Sequence, residues 1–113
     1  MRPRVVYRGA AMALSSRVGL VPGVKRLIRA DAAERLGWMR DNLGWLMLTT
    51  DHDAAAIYAL TGVSAGTVRN FLRGTDSSLG NVLLMSLALG VSLSDLERPP
   101  SEFKRQLAEQ SGG

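Results

Sequence analysis

The stretch Asp51-His52-Asp53 is where metal or acid–base chemistry would have to gather, because His52 is the only histidine in the chain. It supports neither. Adjacent residues on a helix or loop point in different directions, and no second histidine or cysteine exists to complete a coordination shell. A hydrolytic triad would need His52 as its base, and no nucleophile motif accompanies it. The expectation is therefore no enzyme, no metal and no cofactor. A different chemistry is available in TGVSAGTVRNFLRG, Thr61 to Gly74. Arg69, Asn70 and Arg73 are residue types that hydrogen-bond to flat edges. Arginine pairs with guanine O6/N7 and asparagine with adenine N6/N7, each good pair supplying about 1–3 kcal/mol of discrimination.

These side chains can read a partner only if a helix aims them. With Val68, Phe71 and Leu72 inward, the outward positions are Ala65, Gly66, Arg69, Asn70 and Arg73. Ser64 is the expected N-cap, and Ser64 and Thr67 lie where a helix start donates to phosphate. Ala65 can meet a thymine methyl, and Gly66 lets the backbone approach a phosphate or base. The plain alternative is that Arg69, Asn70 and Arg73 are solvated surface. Gly62 turns the chain before this helix, since glycine enters the left-handed region without steric cost. Val63 fills the angle, and Gly74 ends the helix.

Upstream, apolar residues recur near a 3.6 period from Val24 to about Leu43, at Leu27, Ile28, Leu36, Met39 and Leu43, with Arg26, Arg29, Arg35 and Arg40 between them. Trp38 and Trp45 share a side if the helix continues through Gly44, a spacing that suits core or interface packing. A threonine of Thr49-Thr50, or Asp51, caps a helix from about Asp53 to Thr61, with Ile57 and Leu60 inward. Downstream come a helix from Ser78 to Leu89 stopped by Gly90, and one turn capped by Ser92 or Ser94. After the Pro99-Pro100 break, a short helix from Ser101 to Gln110 carries Phe103 and Leu107 one turn apart. Residues 1–23 leave room for one short helix near Ala10–Val18. Nothing reads as a strand, so the expected fold is all-α.

A chain of 113 residues, 46% apolar and 21% charged, has the material for one globular domain with a modest core. Its lack of cysteine fits a reducing cytoplasm. The longest apolar run, Val82 to Leu93, falls short of the ~20 residues of a membrane span. The basic start lacks the clean apolar centre of a signal peptide, although its arginines and missing acids also suit an organelle transit peptide. The net charge of +4 is uneven: residues 1–30 hold seven basic and no acidic side chains, and the rest hold seven basic and ten acidic. That segment, with Arg2, Arg4 and Arg8, is a phosphate-contacting arm, a solvated tail or a strap packed on the body. The expected division is a basic extension at 1–30, a main domain at 31–98 and a C-terminal helix with a frayed end at 99–113.

TGVSAGTVRNFLRG and the later SLGNVLLMSLALGVSLSDL together resemble the Cro/phage-repressor-like (XRE-type) helix-turn-helix family over residues 38–97. The resemblance implies a five-helix lambda-repressor-like domain in a homodimeric, sequence-specific regulator of transcription. It places Ser64–Arg73 in the major groove of double-stranded DNA and the protein in the nucleoid-associated cytoplasm. An antitoxin-like or protein-interaction module that keeps the fold is the alternative. Four departures stand out. Tyr58 occupies the helix crossing where the family has alanine, with Gly66 expected opposite to make room for the ring. The link across Trp45–Asp53 is long. The reading helix begins with Ala65-Gly66. Leu84 and Leu87 replace solvated basic residues and share a face, to be covered by Val24–Leu36, by a dimer mate or by a protein partner. Phe103 and Leu107 offer a second possible dimer surface.

Overall fold

The computed structural model describes residues 23–112; Arg2, Arg4, Arg8 and the expected Ala10–Val18 helix lie outside them. Six helices follow in order: α1 (Val24–Thr49), α2 (Ala54–Thr61), α3 (Ala65–Arg73), α4 (Leu79–Ala88), α5 (Leu93–Leu96) and α6 (Pro100–Gly112). No strand occurs among the described residues, and no helix there is long and apolar enough to cross a membrane. Residues 1–34 and 35–113 form two separate units, and the boundary falls within α1. In the first unit, Lys25, Arg26 and Arg29 are exposed on the opening turns of α1.

The second unit is organised by the stripe Met39, Leu43, Leu46 and Met47 of α1. It packs with Ile57, Val63, Val68, Phe71, Met85, Leu96 and Phe103. This stripe explains why α1 runs to Thr49 instead of ending near Leu43. A mid-helix glycine costs about 1 kcal/mol relative to alanine, but stopping at Gly44 would leave Leu46 and Met47 without their inward positions. Gly44 borders α3: a Cβ there would lie 3.8 Å from Leu72 Cδ2, an ordinary contact distance.

The end of α1 is a left-handed cap. His52 N donates to Met47 O at 2.8 Å, and Asp51 takes φ 58°, a conformation aspartate tolerates better than most residues. The link to α2 is therefore only Thr50–Asp53, shorter than expected. Its helix cap is Asp53, which accepts from Ala56 N at 2.8 Å, and neither a threonine nor Asp51. Leu60 is also outward, 59% exposed. The buried stripe of α2 runs through Ala54 and Ile57, and Leu60 falls about 90° round from its centre.

Pro99-Pro100 starts a helix rather than separating one from the body. Proline suits a first helical position because its missing N–H is unneeded there, and Phe103 N donates to Pro99 O at 3.0 Å. Phe103 is 1% exposed and meets Trp45 edge-on, with centroids 6.1 Å apart. It belongs to the chain's own core and is not presented to a dimer mate. Leu107 packs, half-buried, against that core. Asn42, fully buried, donates through Nδ2 to Leu96 O at 2.9 Å and Arg98 O at 2.8 Å, tying α1 to the end of α5.

Candidate functional site

α2 and α3 pack together across a turn whose parts are local. Gly62 sits at φ 80° with its N–H on Tyr58 O, and Thr61 Oγ1 accepts from Val63 N at 3.0 Å. Val63 is buried in the angle. Ser64 accepts from Thr67 N at 3.1 Å and donates to Thr67 Oγ1 at 2.8 Å. Ser64 thus caps α3, and both hydroxyls are already engaged with each other. At the other end Gly74 takes φ 119°, and Thr75 N donates to Asn70 O at 2.9 Å.

Between these caps, Val68 and Phe71 are buried and Leu72 half-buried, while Gly66, Arg69, Asn70 and Arg73 are exposed. These four are spaced i, i+3, i+4 and i+7, so they share one stripe along α3. Among the described residues neither Arg69 nor Arg73 forms an ion pair. Arg73 lies in the last turn, where a cation complements the helix dipole. Ala65 departs from its expected outward place: it is half-buried and packs against the core.

The expected pairing of Tyr58 with Gly66 is absent. A Cβ at Gly66 would meet nothing within 4 Å, and Tyr58 is 57% exposed. The open space above Gly66 belongs to the outside of the helix. Any partner lying along the stripe reaches backbone at Gly66 and long polar side chains one turn later.

Arg40, which the sequence places between the apolar positions of α1, is a clamp on this helix. Its Nε donates to Phe71 O at 2.7 Å and its guanidinium pairs with Asp76 at 3.0 Å. The same group lies 5.0 Å from the Phe71 ring centroid. Phe71 O is among the last carbonyls of α3, where partners come from beyond the helix: it accepts from Gly74 N at 3.1 Å, and Arg40 adds a second, charged donor. The available signal was position: Arg40 flanks Met39 and stands one turn before Leu43, at the edge of the buried stripe.

Beside α3 an open cleft of about 460 Å³ is lined by Met47, Leu48, Asp51, His52, Asp53, Arg69 and Leu72 among others. His52 Nδ1 lies 2.8 Å from Thr50 Oγ1, and Asp53 is committed to its cap. Among the described residues no group of three or more metal-ligating side chains gathers. On α4, Leu84 and Leu87 are exposed at 43% and 62%. Comparison with protein families, with curated proteins and with solved structures gave no match.

Proposed function

We propose that this chain is a sequence-specific double-stranded-DNA-binding regulator of transcription, acting as a homodimer in the cytoplasm and nucleoid. α3, within Ser64–Arg73, lies in the major groove. The observation that carries the reading is the stripe Gly66, Arg69, Asn70 and Arg73, exposed on a helix capped at both ends and held from behind by Val68, Phe71 and Arg40. Arg69 and Arg73 pair with guanine edges and Asn70 with adenine. At the helix start Thr67, which accepts from Ser64 and keeps its own hydroxyl proton, donates to phosphate, with Ser64 beside it. Sequence reading is thus placed one turn down the helix, with Gly66 allowing close approach. Residues 35–113 carry seven basic and eight acidic side chains, so counterion release falls chiefly to the basic residues of 1–30, Arg2, Arg4 and Arg8 among them.

The test is selection of bound duplexes from a random pool at about 150 mM salt, where non-specific phosphate binding is weak. The native chain should enrich a two-fold symmetric motif with half-sites about one helical turn apart, and Arg69→Ala/Asn70→Ala should lose it. No enrichment, with binding that vanishes as salt rises, would remove the specific-reader proposal. A second reading, a protein-interaction or antitoxin-like module, is favoured by one observation: α4 presents leucines outward. Charge reversal at Arg69 and Arg73 separates the two, since it abolishes DNA binding and leaves a protein complex intact.

A further inference from the structure

The outer face of α4 carries four exposed leucines among the described residues. Val82, Met85 and Ser86 point into the core. Leu79, Leu83, Leu84 and Leu87 point away, with exposures of 71%, 40%, 43% and 62%. At 100° per residue these four span about 140° of the helix surface, and Gly80 falls inside the same arc. Their exposed area is on the order of 400 Å², within the range of the largest apolar patch on a monomer, which is often functional.

We propose that this face is where two copies of the chain pair. The assignment rests on the homodimer part of the reading above and is independent of DNA. Three features select a second copy over another occupant. First, α4 (LGNVLLMSLA) contains no ionisable side chain. In a two-fold contact one patch supplies both sides, so a lone charge near the axis would face its own copy; a face without charge avoids this. Second, Leu79, Leu83 and Leu87 form one i+4 ridge and Gly80 and Leu84 the next. Ridges at this spacing interdigitate between two identical helices. Third, Gly80 has no internal reason to be glycine: its φ is not positive, and a Cβ there would meet only Ser78 Oγ at 3.9 Å. The missing side chain leaves the groove beside the Leu79–Leu83–Leu87 ridge open for a leucine of the mate. The patch supplies about half of the ~800 Å² per partner of a standard interface. The dimer is accordingly weak on its own, dissociating in the micromolar range or above.

Sedimentation of the full chain without DNA, from about 1 to 300 µM, tests this across the range where such small interfaces form. The expected result is a concentration-dependent monomer–dimer equilibrium that Leu84→Glu/Leu87→Glu converts to monomer throughout, with helicity and Tm retained. A native chain that stays monomeric overturns the proposal and points to intramolecular cover by residues 1–34 or to a different protein partner. So does a variant that dimerises as well as the native chain. If that variant fails to fold, cysteines decide, because the chain has none of its own. Under mild oxidation, Leu84→Cys or Leu87→Cys should form linked dimers at least severalfold faster than the exposed control Ser94→Cys. Equal rates would overturn the proposal. Arg69→Ala/Asn70→Ala, sedimented in parallel, should dimerise like the native chain whatever its DNA binding, so the two readings fail separately.

Discussion

Gly66 is the residue at which stability and the proposed function pull apart. It occupies a helical position with open space where a Cβ would go. Gly66→Ala should therefore raise stability, by up to about 1 kcal/mol from helix propensity, read as a higher denaturation midpoint. If the stripe lies against DNA with backbone close to it, the same substitution weakens DNA binding. A gain in stability with unchanged DNA affinity would remove close approach from the reading. Arg40 is the converse case, invisible to DNA and important to α3. Arg40→Ala should cost about 1.5–3 kcal/mol, the range for a hydrogen bond to a charged group, by urea denaturation. Arg40→Lys should not fully recover it, because an ammonium cannot reproduce the planar fork that reaches Phe71 O and Asp76 together. Both residues could be located in the sequence, but their roles could not be read there. Tyr58 was assigned to the helix crossing with Gly66, whereas its ring is exposed.

Among the elements, those defined by short-range hydrogen bonds match their sequence signals closely. Ser64, Ser78 and Ser92 cap α3, α4 and α5 by accepting from the N–H three residues on, and Gly62, Gly74 and Gly90 take positive φ at the helix ends. α6 was misjudged in what its apolar stripe meets. Phe103 and Leu107 one turn apart mark an apolar stripe, but the spacing does not say whether the stripe meets the same chain or another. Here it meets Trp45 and the core. Phe103→Ala should thus destabilise the monomer by about 3–5 kcal/mol, the usual cost of truncating a buried aromatic. Dissociation of a dimer with unchanged folding stability would contradict that placement.

For the molecule as a whole, the net positive charge and the proposed reading stripe fall in different parts of the sequence. The stripe on α3 contributes two arginines, and the cleft beside it is bordered by Asp51 and Asp53. Seven of the fourteen basic side chains and none of the acids stand in residues 1–30. Under the DNA reading, deleting residues 1–9 removes Arg2, Arg4 and Arg8 and lowers the slope of log affinity against log salt by about 2–3 per monomer, at ~0.9 per lost phosphate contact. Sequence preference in the random-pool selection should persist. An unchanged slope would mean that these arginines are solvated and do not touch phosphate.

Composition, the turn at Gly62, the caps Ser64 and Gly74 of α3, and the inward set Val68 and Phe71 were determined by the sequence alone, because each depends on residues within a few positions of one another. Extension of α1 through Gly44, the outward turn of Leu60, burial of Phe103 and the clamp at Arg40 were decided only by tertiary structure. Their partners arrive from distant parts of the chain: Phe71 and Asp76 come to Arg40 from 31 and 36 residues away, and Leu96 and Arg98 come to Asn42 from 54 and 56. Periodicity marks a face as apolar. What meets that face is set by the packing of whole helices, where burying Leu46, Met47 and Phe103 outweighs the local cost of a glycine in a helix.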